Sequence, residues 1–185
     1  RSAPVNLGLH HSGQELTDCC WEAGYSPNKD PMDRLVYACS KTGHIFEIDN
    51  RKVSILHVRR LLPTPPPTTG SGGKDKQTFN SGSGIAITSM CVNEAFCVTG
   101  SEDGYLRLWP LDFAHVYLEA EHEGPVTAVD ISGDGVKILA GTSTGNLGIL
   151  DVATRGYTTV MRSHTGRVLA LSVDPVRRHV ATVAE

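Results

Sequence analysis

The sequence predicts an all-β fold assembled from small repeated sheets, and three observations carry that prediction. Glycine (19) and proline (10) punctuate the 185 residues at short intervals, and the runs between them are short and rich in Val, Ile, Leu and Thr, the composition of strands. Within the runs apolar and polar residues alternate with period 2. Thr127, Val129 and Ile131 fall on one face of the stretch 127–132. The third observation is self-similarity at a spacing near 40 residues, which is the mark of a repeat architecture.

The copies follow in chain order. Cys39-Ser-Lys-Thr-Gly-His-Ile-Phe-Glu-Ile48 is an early copy of Gly100-Ser-Glu-Asp-Gly-Tyr-Leu-Arg-Leu-Trp109, which returns at an offset of 41 as Gly141-Thr-Ser-Thr-Gly-Asn-Leu-Gly-Ile-Leu150. His122-Glu-Gly-Pro-Val126 returns at an offset of 42 as His164-Thr-Gly-Arg-Val168. These matches place one four-stranded unit at 16–58, a second at 85–119, a third at 126–162 and half a unit at 168–185. In the third unit strands a to d are expected near 126–132, 136–142, 146–151 and 157–162. The b–c hairpins turn on Gly43, Gly104 and Gly145, because a tight hairpin needs a positive φ that only glycine adopts without strain. A sheet of this size cannot bury both faces alone, whereas sheets stacked radially as propeller blades can. About three and a half blades are expected against the roughly four to eight that close a propeller. With no initiator Met and a last copy that stops at Glu185 in mid-hairpin, the chain is expected to be a fragment of a larger propeller.

Between the first two units, residues 59–84 break the pattern with Arg59-Arg60, a proline run and a Gly/Ser run. A long exposed loop is expected there, stiff in the prolines. Pro63-Thr-Pro-Pro66, Thr64-Pro65 and Ser26-Pro27 match peptide-docking or phosphorylation patterns, but a plain linker is the better reading of such short matches.

Composition removes several function classes. Seventeen Lys+Arg against 20 Asp+Glu leave a net charge of -3, the wrong sign for a polyanion binder. No apolar run approaches the roughly 20 residues of a membrane span, and no signal peptide is expected at Arg1-Ser2-Ala3-Pro4, which lacks an apolar h-region. Cys19, Cys20, Cys39, Cys91 and Cys97 are odd in number and sit in strand-like runs. They read as reduced core thiols, and together with the lack of a glycosylation sequon they point to an intracellular compartment.

The segments His122-Glu-Gly-Pro-Val-Thr-Ala-Val-Asp-Ile-Ser-Gly-Asp-Gly135 and Ser101-Glu-Asp-Gly-Tyr-Leu-Arg-Leu-Trp109 resemble the WD40-repeat family. The resemblance covers nearly the whole chain and implies a β-propeller of four-stranded blades. It also implies, in each blade, a buried set of His, Ser or Thr, Asp and Trp joined by hydrogen bonds. Carried over, the set is Ser101, Asp103 and Trp109 in the second unit, His122 and Thr142 in the third, and His164 in the fourth. Every copy is incomplete. Ser83-Gly84 lacks the His, Thr144 and Leu150 replace Asp and Trp, and the first copy keeps only Ser40 beside Thr42 and Ile48.

No chemistry-bearing constellation competes with that structural reading. Thr69-Gly-Ser-Gly-Gly-Lys74 misses the phosphate-loop pattern at Thr68 and Asp75. His10-His11 with Cys19-Cys20 lacks the spacers of a zinc site. Gly141-Thr-Ser-Thr-Gly145 has the Gly-x-Ser-x-Gly spacing but falls in the expected b–c hairpin turn of the third unit, not at the strand-to-helix turn of a nucleophile elbow, and Glu119, Glu121 and Glu123 read as a solvated face. The expectation is therefore a non-enzymatic scaffold with no catalytic, metal or cofactor site and no small-molecule substrate, binding proteins through loops on a rigid frame. Residues 82–126 resemble more narrowly a branch of large WD-repeat proteins of centrioles and basal bodies. That implies tubulin or microtubules and centriolar scaffold proteins as partners, and a place in the cytoskeleton, in centriole cohesion and in cilium assembly. The alternative is a generic WD40 adaptor in an axonemal, ubiquitin-ligase or trafficking complex.

Overall fold

The computed structural model describes residues 15–23, 34–61, 84–162, 164–176 and 179–185, with the side chain of Arg60 left aside. Its architecture follows from how short alternating strands must pair: each Gly-turned hairpin returns the chain antiparallel to itself. Sheet 1 holds β1 Leu16–Trp21, β2 Leu35–Ser40, β3 His44–Asp49 and β4 Ser54–Arg60. Sheet 2 holds β5 Ile87–Val92, β6 Phe96–Ser101, β7 Tyr105–Pro110 and β8 Leu118–Glu121. Sheet 3 holds β9 Val126–Ile131, β10 Lys137–Thr142, β11 Leu147–Asp151 and β12 Tyr157–Met161. β13 Val168–Val173 and β14 Val180–Ala184 form a final hairpin. Each sheet is a meander in chain order, and among the described residues every element is a strand. The all-β expectation holds.

Gly43, Gly104 and Gly145 have φ of +77°, +86° and +84°, and each amide closes its hairpin onto the last residue of the preceding strand. The outer c–d turns use left-handed residues of another kind, Val53, Phe113 and Arg155, at φ of 50°, 54° and 58°. Phe113 is buried against Tyr37 of sheet 1, with ring centroids 6.3 Å apart, and the Arg59 guanidinium lies 5.5 Å from its ring.

The core lies between sheets rather than within them. Tyr37, Cys39 and Ile45 pack on Ile87, Met90, Cys97 and Trp109 between sheets 1 and 2. Val98, Leu106 and Leu108 pack on Val126, Val129 and Ile138 between sheets 2 and 3. Two glycines set the spacing. A Cβ on Gly100 would run into Val126, and one on Gly141 would stand 2.6 Å from a Val168 methyl. Bare backbone on the second strand of one blade thus admits the first strand of the next.

The innermost strands carry a second link. In β1, β5, β9 and β13 the register slips at the second residue, leaving Thr17, Thr88, Thr127 and Leu169 as the extra residue of a β-bulge. The three threonine hydroxyls lie 2.5–2.6 Å from the carbonyls of Ile87, Val126 and Val168, each on the next inner strand. Carboxylate and hydroxyl acceptors reinforce them. Asp18 accepts the Met90 amide at 2.9 Å, Ser89 the Val129 amide at 3.2 Å and Asp130 the Val173 amide at 2.8 Å. Backbone groups on an inner edge would otherwise lack partners. Here side chains of the preceding blade satisfy them.

Some expectations need correction. The break proposed at 59–84 begins later, because β4 runs through Arg60 and Leu61 is buried, donating its amide to Gly43 O at 2.8 Å. The rest of that stretch to Ser83, with its proline and Gly/Ser runs, lies outside the described residues, as does Ser26-Pro27. The fourth strand of sheet 2 extends to Glu121, beyond the 119 expected, because its pairing with β7 continues to Tyr105. Cys19 is exposed rather than a core thiol, since β1 turns alternate residues outward.

Candidate interaction face and the network behind it

In sheet 2 the side chains of β6 and β7 build a buried polar ladder. Trp109 Nε1 donates to Thr99 Oγ1 at 2.9 Å, with both side chains buried. Ser101 faces a separate group: its hydroxyl lies 2.5 Å from Asp103 Oδ1, and Arg107 donates to Ser101 Oγ at 2.9 Å and to Asp103 Oδ2 at 2.8 Å. Burial pushes the Asp103 carboxyl up, but the hydrogen bonds from Arg107 and Ser101 and the Arg107 charge outweigh it and hold the pKa below its ordinary value. Arg107 also stacks 4.7 Å from the Tyr105 ring and pairs with Glu119 at 3.4 Å. The structure therefore divides the expected set: Asp103 and Ser101 are together, while Trp109 is held by Thr99, one alternation earlier on the strand. Glu119 is an ion-pair partner rather than a purely solvated group.

Sheet 3 carries the same slots with different occupants. Register puts Ala140 where Thr99 stands and Gly148 where Arg107 stands. Thr142 does not meet His122. It bonds Thr144 Oγ1 at 3.0 Å and takes the Asn146 amide at 3.1 Å. His122, 5% exposed, accepts the Glu123 amide on Nδ1 at 2.7 Å, while its Nε2 has no hydrogen-bond partner among the described residues. Tyr157 fills the space above Gly148, its ring edge-on to the imidazole with centroids 5.3 Å apart. In the last hairpin His164 Nε2 meets Thr182 Oγ1 at 2.8 Å, and Thr182 sits in the register of Thr99. In sheet 1 Ser40 turns to Thr42 at 3.1 Å.

Above these ladders the b–c turns and the entries of the inner strands converge on a recess of about 860 Å³ lined by Thr17, Lys41, Thr88, Glu102, Thr127 and Arg167 among others. Lys41 pairs with Glu15 at 2.6 Å on its rim. Both signs of charge are present, and the threonine row contributes to the lining. Such a mixed, hydroxyl-rich surface suits contact with a polypeptide better than a single-sign ligand. Among the described residues no group of three His, Cys, Asp or Glu is placed to hold a metal, and His10 and His11 lie outside them. Burial pushes the Cys39 and Cys91 thiols up to about 12 and raises those of Cys20 and Cys97 as well, which favours protonated packing groups over nucleophiles. No described helix is long and apolar enough to cross a membrane.

Sequence reasoning missed Thr99, Arg107, Phe113 and the threonine row. Thr99 was within reach, because period 2 puts it on the face of Ser101. The row was visible too, as the same residue type at the second position of three inner strands.

Four-stranded meanders stacked at a 40-residue repeat, stitched along their inner strands, are WD40-type β-propeller blades. Residues 73–110 match the family model of the WD domain, G-beta repeat. The chain is 53% identical over 184 residues to WD repeat-containing protein 90 of Xenopus tropicalis and 50% identical over 185 residues to that of Homo sapiens; it is covered completely and spans 10% of each relative. It is also 47% identical over 79 residues to Centriole proteome protein 16 of Chlamydomonas reinhardtii, covering 43% of this chain and 4% of that protein. A chain in the crystal structure of the Mitotic Checkpoint Complex shares the fold, with a TM-score of 0.67 at 14% identity over 94% of this chain and 45% of that one.

Proposed function

We propose that this chain forms part of the wall of a protein-interaction scaffold and that the scaffold is a structural, microtubule-associated component of the centriole or basal body, serving centriole cohesion and cilium assembly. The carrying observation is the similarity, over the whole of this chain and a tenth of the relatives' length, at 50–53% identity to WD repeat-containing protein 90. The match to a relative named for the centriole proteome supports the location. The physical reading agrees with a scaffold role. Three interlocked sheets with buried thiols and side-chain-stitched inner strands make a rigid frame, and loops on a rigid frame are where partner contacts are made. The partners this reading assigns are tubulin or microtubules and centriolar scaffold proteins.

The test has two parts. A fluorescent fusion of the protein is expected to concentrate at centrioles in ciliating cells, and a diffuse signal that ignores them sinks the reading. Co-sedimentation with microtubules across a salt series then asks where the tubulin contact lies. Pelleting that weakens as salt rises marks an electrostatic contact on the propeller itself. Centriolar signal without pelleting keeps the scaffold and moves the contact to a centriolar protein.

A further inference from the structure

His122 is the point at which sheet 3 departs most from its neighbours. In the last hairpin the equivalent imidazole bonds Thr182. At His122 that slot is Ala140, and among the described residues Nε2 and Tyr157 Oη are both buried without a hydrogen-bond partner and both face the bare backbone of Gly148. All the binding falls on Nδ1, which accepts the Glu123 amide at 2.7 Å. A backbone N–H only donates, so Nδ1 must present its lone pair and Nε2 carries the proton of the neutral ring. A second proton can enter only at Nδ1, where it would meet the Glu123 N–H donor to donor.

That contact sits in a strap across two blades. The His122 amide donates to Gly104 O at 2.8 Å, in the b–c turn of sheet 2. One residue on, Glu123 accepts Asn146 Nδ2 at 2.9 Å and pairs with Arg162, the first in the b–c turn of the third unit and the second just past β12. Gly124 lies against Thr144, and the Pro125 carbonyl accepts the Ser143 amide at 2.9 Å. We propose that His122 is a proton-operated latch on the strap between the second and third blades: neutral, it holds the Glu123 amide and the strap lies closed; protonated at Nδ1, it repels that amide and residues 122–125 lift, releasing the Glu123 contacts to Asn146 and Arg162.

The groups facing the ring are consistent with a neutral resting state. Glu123 follows it in the connection, Glu121 precedes it at the end of β8, and Tyr157 and Arg162 come from the β12 side, while the Asp103 carboxylate in the turn of sheet 2 is bound by Arg107. The turn of sheet 3 contributes only uncharged Ser143, Thr144 and Asn146. Burial lowers the His122 pKa, Glu123 raises it and Arg162 lowers it, with a net depression below 6.5. The stability held by the latch is therefore complete above the unfolded value and is lost as pH falls through the folded one.

Amide hydrogen exchange of the full chain between pH 7.4 and 5.0, corrected for intrinsic rate, tests this. Protection of the Glu123 amide is expected to fall about tenfold, while the amides of Val98 and Met90 keep theirs. In His122→Gln the Glu123 protection should no longer depend on pH. Should that variant fail to fold, Tyr157→Phe serves instead: it keeps the imidazole and its Nδ1 contact, so the pH response should persist. Glu123 protection that stays flat in the unaltered protein, or nitrogen shifts that place the proton of the neutral ring on Nδ1, would overturn the proposal.

Discussion

Replacing Gly100 by alanine puts a methyl where the next blade already stands. Its Cβ would collide with one Val126 methyl and lie 3.0 Å from a Val129 methyl and 3.1 Å from the Val126 Cβ. Val126 is fully buried and β-branched, so its χ1 cannot turn away cheaply, and the collision falls on a rigid wall rather than a flexible tip. Overpacking of this kind costs about 1–3 kcal/mol, and the site belongs near the top of that range. Losing glycine's freedom in the unfolded chain returns about 0.4–1 kcal/mol. A net loss of about 2 kcal/mol follows, or about 4–8 °C in melting temperature for a domain of this size. Urea denaturation followed by tryptophan emission measures it, because Trp109 is buried in the same sheet. The cycle with Val126→Ala is the sharper assay. That variant alone leaves a hole and destabilises, yet in the Gly100→Ala background the hole receives the new methyl. The two changes should couple favourably by at least about 1 kcal/mol. Additive effects, or a Gly100→Ala variant as stable as the parent, would refute the claim that bare backbone sets the blade spacing.

Thr99→Val keeps the shape but leaves the Trp109 indole N–H buried without an acceptor, so unfolding free energy should fall by about 1–3 kcal/mol; Ser101→Ala should leave the Trp109 environment, read by near-ultraviolet dichroism, unchanged. Val53 is β-branched at a φ of 50° and partly exposed, a conformation that costs about 1–2 kcal/mol for ordinary residues. Val53→Asn should therefore raise the melting temperature, and a drop would mean the side chain packs more than its backbone strains. The folded pKa of Asp103 is depressed by the Arg107 and Ser101 bonds, so the stability it contributes is present above the ordinary carboxylate pKa near 3.9 and is lost as pH falls through the lower folded value. Asp103→Asn should be the less stable protein at neutral pH, and its curve should converge on the parent's below about pH 4 in acid denaturation.

Much of the blade plan was legible because it rests on local rules. Period 2 identified the strands, the three turn glycines located the hairpins, and the offsets of 41 and 42 aligned the units. The polar ladders were less legible. Ser101 and Thr99 are both hydroxyl residues on one face of β6, and only the register of β6 against β7 assigns the indole to Thr99 and the guanidinium to Ser101. Likewise Arg59, placed at the start of the break in the repeat, is occupied by Glu47 at 3.0 Å and by the Phe113 ring. Its partners stand on a paired strand and on the neighbouring blade.

The sequence by itself determined the all-β class, the repeat, the hairpin turns and the resemblance that the comparisons over the whole of this chain bear out, since each depends on residues near one another in the chain or on a pattern that recurs along it. Only the tertiary structure decided that Gly100 and Gly141 are spacers, that Thr17, Thr88 and Thr127 reach across to the next inner strand, and that among the described residues the His122 ring bonds only the Glu123 amide. Those facts join residues 26 to 70 positions apart or depend on what is missing from a facing slot. Such pairings follow from the stacking of whole sheets, in which hydrophobic burial brings the blades together and the bulges and bare glycines fix which atoms then touch.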